Sequence, residues 1–144
     1  LPGTLVITGG SDHPDEFSRN LLRQQNERII FTGFQSGDAL SALYANAALF
    51  VLPSYHEGLP IAALEALSFG RPVLLSDIAP NRDLRLSAAC YFPTGDWRAL
   101  AQKIQAQDYS AYQADTLEIL GRFDWDDIAR QTLQQMRLAL GNTG

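Results

Sequence analysis

The residues best suited to chemistry in this 144-residue chain lie at positions 53–61, Pro-Ser-Tyr-His-Glu-Gly-Leu-Pro-Ile. This segment follows an apolar run and precedes a helix-forming stretch, so it reads as a strand-to-helix loop. It brings together a carboxylate, Glu57, a glycine, Gly58, and the first free amides of a helix, contributed around Leu59 and Ile61, with Pro60 unable to donate. Such amides carry partial positive charge and hold a phosphate without any basic side chain, and Gly58 lets the backbone approach a ligand closely. The alternative for Glu57 is purely local, a helix-start carboxylate worth about 0.3–1 kcal/mol through the helix dipole. Eight positions on, Glu65 stands among Ala62, Ala63, Ala66 and Leu67. It is either an exposed helix position or an acid packed against a sheet, and in the second case it needs a partner. His56 has the chemistry of a general base, or is a solvated loop imidazole. The pair Gly9-Gly10 after an earlier apolar run would let phosphate or sugar pass close to the backbone, without the spacing of a GxGxxG fingerprint. Asp77 ends another apolar run, where an Asx-turn is the usual role, and Arg71 before Pro72 reads as surface.

The elements that must position these residues alternate. Apolar runs at 4–8, 28–32, 48–52 and 73–76 read as strands buried in a parallel sheet, the first of them covered on both faces. Helical spacing follows each of the first three. Pro14 suits the first position of a helix carrying Phe17, Leu21, Leu22 and Gln25, Gly37-Asp38 opens a second, and residues 60–69 form a third that stops at Gly70-Arg71-Pro72. Strand–helix alternation of this kind predicts an α/β fold, a Rossmann-like doubly wound parallel sheet. Ligands of such sheets bind beyond the carboxyl ends of the strands, at the loops after Thr8, Thr32, Leu52 and Ser76. Past Asp77 the spacing predicts a Pro80-Asn81 loop, a short strand at 90–92, a turn at Pro93-Thr94-Gly95, and then helices through 100–104, 109–120 and 126–140. Asp124 suits the N-cap of the last, with Asp126 and Asp127 in its first turn.

Composition narrows the classes. At 46% hydrophobic, the chain suffices for one domain, residues 1–144. Eleven Lys and Arg against sixteen Asp and Glu give a net charge of -5, which opposes nucleic-acid binding. One cysteine, Cys90, and two scattered histidines, His13 and His56, make neither a disulfide nor a metal-ligand pattern, so no metal is expected and a reducing compartment is. No apolar run approaches the roughly 18 residues of a membrane span, and no signal-peptide pattern is present, which predicts a cytoplasmic protein. The chain opens with Leu and enters a strand almost at once, so the expectation is a piece of a longer polypeptide.

Taken together these residues resemble the C-terminal, donor-binding lobe of GT-B-fold retaining glycosyltransferases, the glycosyltransferase family 4 or "group 1" enzymes. The resemblance rests on residues 29–34 (IIFTGF), residues 42–54 (ALYANAALFVLPS), Glu57-Gly58-Leu59-Pro60, Glu65-Ala66, Gly70-Arg71-Pro72-Val73 and Ser76-Asp77, with seven residues between Glu57 and Glu65. Thr94-Gly95-Asp96 and Phe123-Asp124-Trp125 match the family's late landmarks. It implies that Glu57 is the catalytic-region carboxylate facing the donor sugar, that Gly58, Leu59, Pro60 and Ile61 frame the diphosphate, and that Glu65 accepts from the ribose hydroxyls. Phe34 and Gln35 would lie along the base, and Gly9 and His56 complete the expected donor-binding set. It further implies no cofactor or metal, a UDP- or GDP-linked sugar as substrate, and transfer to an acceptor hydroxyl with retention, in surface polysaccharide or glycolipid synthesis at the inner membrane face. The family's Arg and Lys and its acceptor-binding N-terminal lobe would precede Leu1. The expected partners are thus the nucleotide sugar, that lobe and, peripherally, a membrane, and the chain alone would be inactive. A sugar-nucleotide 2-epimerase lobe, a non-catalytic nucleotide-binding module and an unrelated flavodoxin-like receiver are the alternatives.

Overall fold

The computed structural model describes residues 3–10 and 15–141. The chain runs β1 (Leu5–Thr8), α1 (Glu16–Leu22), β2 (Ile29–Gly33), α2 (Gly37–Asn46), β3 (Phe50–Leu52), α3 (Ile61–Ser68), β4 (Val73–Ser76), α4 (Ala79–Arg82), β5 (Tyr91–Phe92), α5 (Trp97–Gln105), α6 (Thr116–Gly121) and α7 (Trp125–Ala139). Every strand pair is parallel. The expected α/β alternation is therefore present, with one difference. Among the described residues the strands form two hydrogen-bonded groups, β1-β2 and β3-β4-β5, rather than a single ladder.

The two groups differ in burial. All four residues of β4 are buried, because β3 and β5 flank it and α3 covers it with Ala63, Leu64, Ala66 and Leu67. Leu84, Tyr91 and Phe92 complete this core. The expectation that β1 is covered on both faces is not met: Leu5 is 44% exposed and Phe17 on the neighbouring α1 is 73% exposed. The reason is local, since α1 buries none of its residues against the sheet and β1 belongs to a two-stranded group.

Asparates set most helix starts. Asp15 accepts from the Ser18 amide at 2.7 Å and caps α1, which begins at Glu16; Pro14, the expected first helical position, lies with His13 outside the described residues. Asp96, Asp115 and Asp124 cap α5, α6 and α7 in the same way, Asp124 as anticipated. The Asp115 cap also divides the expected 109–120 helix into a 3₁₀ turn, Ser110–Tyr112, and α6. Cys90 closes another 3₁₀ turn, Ala88–Cys90, instead of opening β5, and Pro80-Asn81 lie within α4 rather than in a loop. At the end of α3, Gly70 takes φ +65° while its amide donates to Leu67 and that of Arg71 to Ala66. This paired closure is what a glycine at that position permits, and it delivers the chain directly into β4.

Because β4 has no exposed face, Leu74→Ala should cost about 2–5 kcal/mol, whereas Leu117→Ala, at a position 87% exposed, should shift stability by less than about 0.5 kcal/mol. Urea denaturation of both variants checks the contrast.

Candidate functional site

The 53–60 loop leaves the carboxyl end of β3 and is held from three sides. Within it, the Ser54 hydroxyl donates to Glu57 Oε1 at 2.6 Å, which fixes a half-buried carboxylate just ahead of α3. Beneath it, the Ser76 hydroxyl at the end of β4 donates to the Ser54 carbonyl at 2.5 Å. Beside it, the Tyr55 ring lies against Gly95 in the loop after β5. A Cβ at position 95 would sit 3.1 Å from Tyr55 Oη, and the backbone there has φ +81°, so the approach depends on glycine. The loop after β4 joins the same assembly. Asp77 Oδ1 accepts from both the amide and the hydroxyl of Thr94, each at 2.8 Å. These bonds, the side-chain one first, hold the Asp77 carboxyl below its ordinary range, and Arg82 adds a weaker push at 3.9 Å.

Pro60 occupies the N-cap of α3 with φ -76° and ψ 68°, and the Ile61 amide donates back to the Leu59 carbonyl at 2.8 Å. Leu59, Pro60 and Ile61 thus form an inverse γ-turn. It engages the Ile61 amide, while the Gly58 and Leu59 amides make no hydrogen bond among the described residues. A partly exposed pair of donors therefore sits beside Glu57 at the positive end of a helix, an arrangement suited to an anion.

Glu65, in the second turn of α3, has the partner its surroundings require. The Tyr44 hydroxyl, carried by α2, donates to Glu65 Oε2 at 2.8 Å. Tyr44 is itself buried between Phe69, stacked at 5.7 Å, and Phe50, tilted at 5.8 Å. Burial pushes the Tyr44 pKa up, and the Glu65 bond and charge push it further the same way, so the phenol remains a donor. Since α2 follows β2 and α3 follows β3, this bond also ties the two strand groups together.

The other expected residues fall differently. Gly9 takes φ +116° and donates to the Gly33 carbonyl at 2.9 Å, so the loop ends of β1 and β2 are adjacent. Phe34 projects there at 83% exposure, and Gln35 turns back to donate to the Thr32 carbonyl at 2.8 Å. These residues sit on the first strand group, apart in the hydrogen-bond pattern from Glu57 on the second. His56 is exposed and makes no hydrogen bond among the described residues. Arg71 is structural, donating to the Phe69 carbonyl at 2.8 Å and to that of Ala45 at 3.3 Å. Ser54, Ser76, Tyr44 and Tyr55 were not legible as site residues. The signal available was a hydroxyl ending an otherwise apolar strand, Val-Leu-Leu-Ser.

A family model described as glycosyl transferases group 1 matches residues 2–107, nearly three quarters of the chain. The chain belongs to this glycosyltransferase family. It is 35% identical over 83% of its length to the GDP-mannose:cellobiosyl-diphosphopolyprenol alpha-mannosyltransferase of Xanthomonas campestris, and 27% identical over 97% to an uncharacterized glycosyltransferase of Methanocaldococcus jannaschii. Its fold superposes on sucrose-phosphate synthase from Thermosynechococcus elongatus with a TM-score of 0.81, over 99% of this chain and 40% of that one, at 26% identity. The domain is thus of the GT-B type, with the Rossmann-like architecture expected. It spans 33% and 38% of the two curated relatives' lengths. Among the described residues of this glycosyltransferase domain no helix is long and apolar enough to cross a membrane.

The Asp77 clamp has a pH signature. A carboxylate whose folded pKa is depressed stabilises the fold above its unfolded value, and that contribution is lost as pH falls through the folded one. Asp77→Asn should therefore lower thermal stability at neutral pH and flatten the acid limb of the melting profile below about pH 4. Melting curves from pH 2 to 7, in about one-unit steps, read this directly.

Proposed function

We propose that this chain is the donor-binding lobe of a retaining glycosyltransferase, one that takes a UDP- or GDP-linked sugar and passes the sugar to an acceptor hydroxyl bound by a separate lobe of the same polypeptide. The observation that carries the proposal is the β3–α3 loop, where Glu57 is braced beside the Gly58 and Leu59 amides at the start of the helix bearing Glu65.

In this reading the diphosphate lies against the Gly58 and Leu59 amides, whose charge is strongest where water is excluded. A ligand oxygen that also recruits the Ile61 amide must compete with the Leu59 carbonyl. Glu57 faces the donor sugar and balances positive charge as the anomeric bond lengthens, its orientation set by the Ser54 hydroxyl. Glu65 accepts from the ribose hydroxyls. The Tyr44 bond engages one of its two oxygens, and a carboxylate has acceptor capacity beyond that bond. Gly9, Phe34 and Gln35 line the approach of the base, and exposed His56, in the loop beside Glu57, faces the donor without a hydrogen bond of its own among the described residues. The acceptor oxygen bonds to the anomeric carbon on the face from which the nucleoside diphosphate leaves, the bond from that carbon to the diphosphate oxygen breaks, and the acceptor's proton passes to the departing diphosphate, with no metal or cofactor required.

Two amides neutralise only part of a departing diphosphate. The remaining cations, an Arg and a Lys that the family resemblance puts ahead of residue 1, complete the site, so this chain by itself transfers no sugar. Relatives that include the polyprenol-linked mannosyltransferase above and an O-antigen chain mannosyltransferase of Escherichia coli favour surface polysaccharide or glycolipid assembly. In this reading the work is done on the cytoplasmic side of a membrane.

Calorimetric titration with UDP and GDP should give binding of one nucleotide, weakened about tenfold or more by Glu65→Ala, the scale of losing hydrogen bonds to a charged acceptor. Equal binding by the Glu65→Ala variant would remove the ribose role. With the full-length polypeptide, product analysis should find a glycoside of retained anomeric configuration. An epimerised nucleotide sugar would overturn the reading.

A further inference from the structure

Ser76 and Asn81 are polar side chains with no exposed surface. They form one directed chain of hydrogen bonds that ends on the Glu57 loop. The Asn81 side-chain amide donates from Nδ2 to the Ser76 carbonyl at 2.8 Å and to Ser76 Oγ at 3.1 Å. Because an amide nitrogen can only donate, Ser76 Oγ accepts there, and its single proton is left for one target. That target is the Ser54 carbonyl, and the hydroxyl of the same Ser54 donates to Glu57 Oε1. Asn81 is held in turn at its own carbonyl by the buried Tyr91 hydroxyl at 3.1 Å, which accepts from the Leu86 amide at 3.1 Å.

The orientation of the chain is forced. Turning the Asn81 amide over would set its oxygen against the Ser76 carbonyl oxygen, so Nδ2 must face Ser76 and Oδ1 must face away. Oδ1 is buried with no hydrogen-bond partner among the described residues. A half-satisfied buried amide costs stability, and an apolar residue of similar size would avoid the cost. The fold keeps the amide where its donors aim the Ser76 hydroxyl at the loop.

We infer that Ser76 and Ser54, with Asn81 behind them, are positioning residues for the transfer step: they hold Glu57 in the orientation that meets the donor sugar, without touching substrate themselves. The inference rests on the role proposed for Glu57. A positioning defect acts on the step in which charge develops rather than on uniform donor affinity.

The test uses the full-length polypeptide, with kcat and donor KM measured for Ser54→Ala, Ser54→Thr, Ser76→Ala and Glu57→Gln, and melting curves recorded alongside. Ser54→Ala and Ser76→Ala should each lower kcat about tenfold with KM changed less than about twofold. Ser54→Thr, which keeps the hydroxyl, should restore most of the rate. Combined with Glu57→Gln, Ser54→Ala should add little, since the two act as one unit. If Ser76→Ala does not fold, half-exposed Ser54 decides the matter alone. Unchanged kcat in folded Ser54→Ala, or a loss that Thr does not rescue, overturns the inference while a Glu57→Gln defect preserves the Glu57 role. Full activity in Glu57→Gln removes both.

Discussion

Complete burial of a parallel strand forces its neighbours into register, and in this domain β4 is the strand so buried. Parallel pairing on both sides puts the carboxyl ends of β3, β4 and β5 at one edge, where the backbone emerges into three consecutive loops. The apolar side chains of Val73, Leu74 and Leu75 supply the burial, and α3, delivered by the Gly70 turn, covers them. What the ladder cannot set is the path of each loop beyond its strand. That is done by polar groups placed at the first positions past the core, the Ser76 hydroxyl below the 53–60 loop and the Asp77 carboxylate clamped to Thr94.

The same physics explains why the first part of the domain is looser. β1 and β2 are apolar in the manner of interior strands, yet Leu5 and Phe17 remain open to solvent. With one ladder and one flanking helix, these strands lack the second cover that β4 receives. One firm connection to the rest is Tyr44, which is wedged between aromatic rings from β3 and the end of α3 and hydrogen-bonded to Glu65. The Arg71 guanidinium, donating to the Ala45 carbonyl at the end of α2, is another. Exposed apolar surface of this extent is characteristic of a face that another element covers, in keeping with relatives some threefold longer than the chain.

The chemistry is spread over groups of modest individual strength. Net charge is negative, and among the described residues the anion-binding capacity beside Glu57 comes from backbone amides at a helix start, not from a cluster of basic side chains. Backbone donors need little reorientation to meet an anion, which suits the diphosphate role proposed for them. The two carboxylates of the candidate site, Glu57 and Glu65, are acceptors when ionised. Each of the two is already oriented by a hydroxyl of its own, Ser54 for Glu57 and Tyr44 for Glu65.

The order of strands and helices, the caps at Asp124 and Gly70, and the loop that carries Glu57 were all legible in the residues, because apolar periodicity, turn chemistry and capping act over a few neighbours. The short-range misreadings, a helix through 109–120 and a loop at Pro80-Asn81, came where a cap or a buried amide overrode local preference. Local pattern could not divide the strands into two ladders, nor tell that β1 stays exposed, since both depend on what packs across the sheet. It could not join Tyr44 to Glu65, 21 positions apart, or Ser76 to Ser54, 22 apart. Those bonds exist because the fold desolvates their groups together, and a buried donor must then find whichever acceptor the topology has brought within reach.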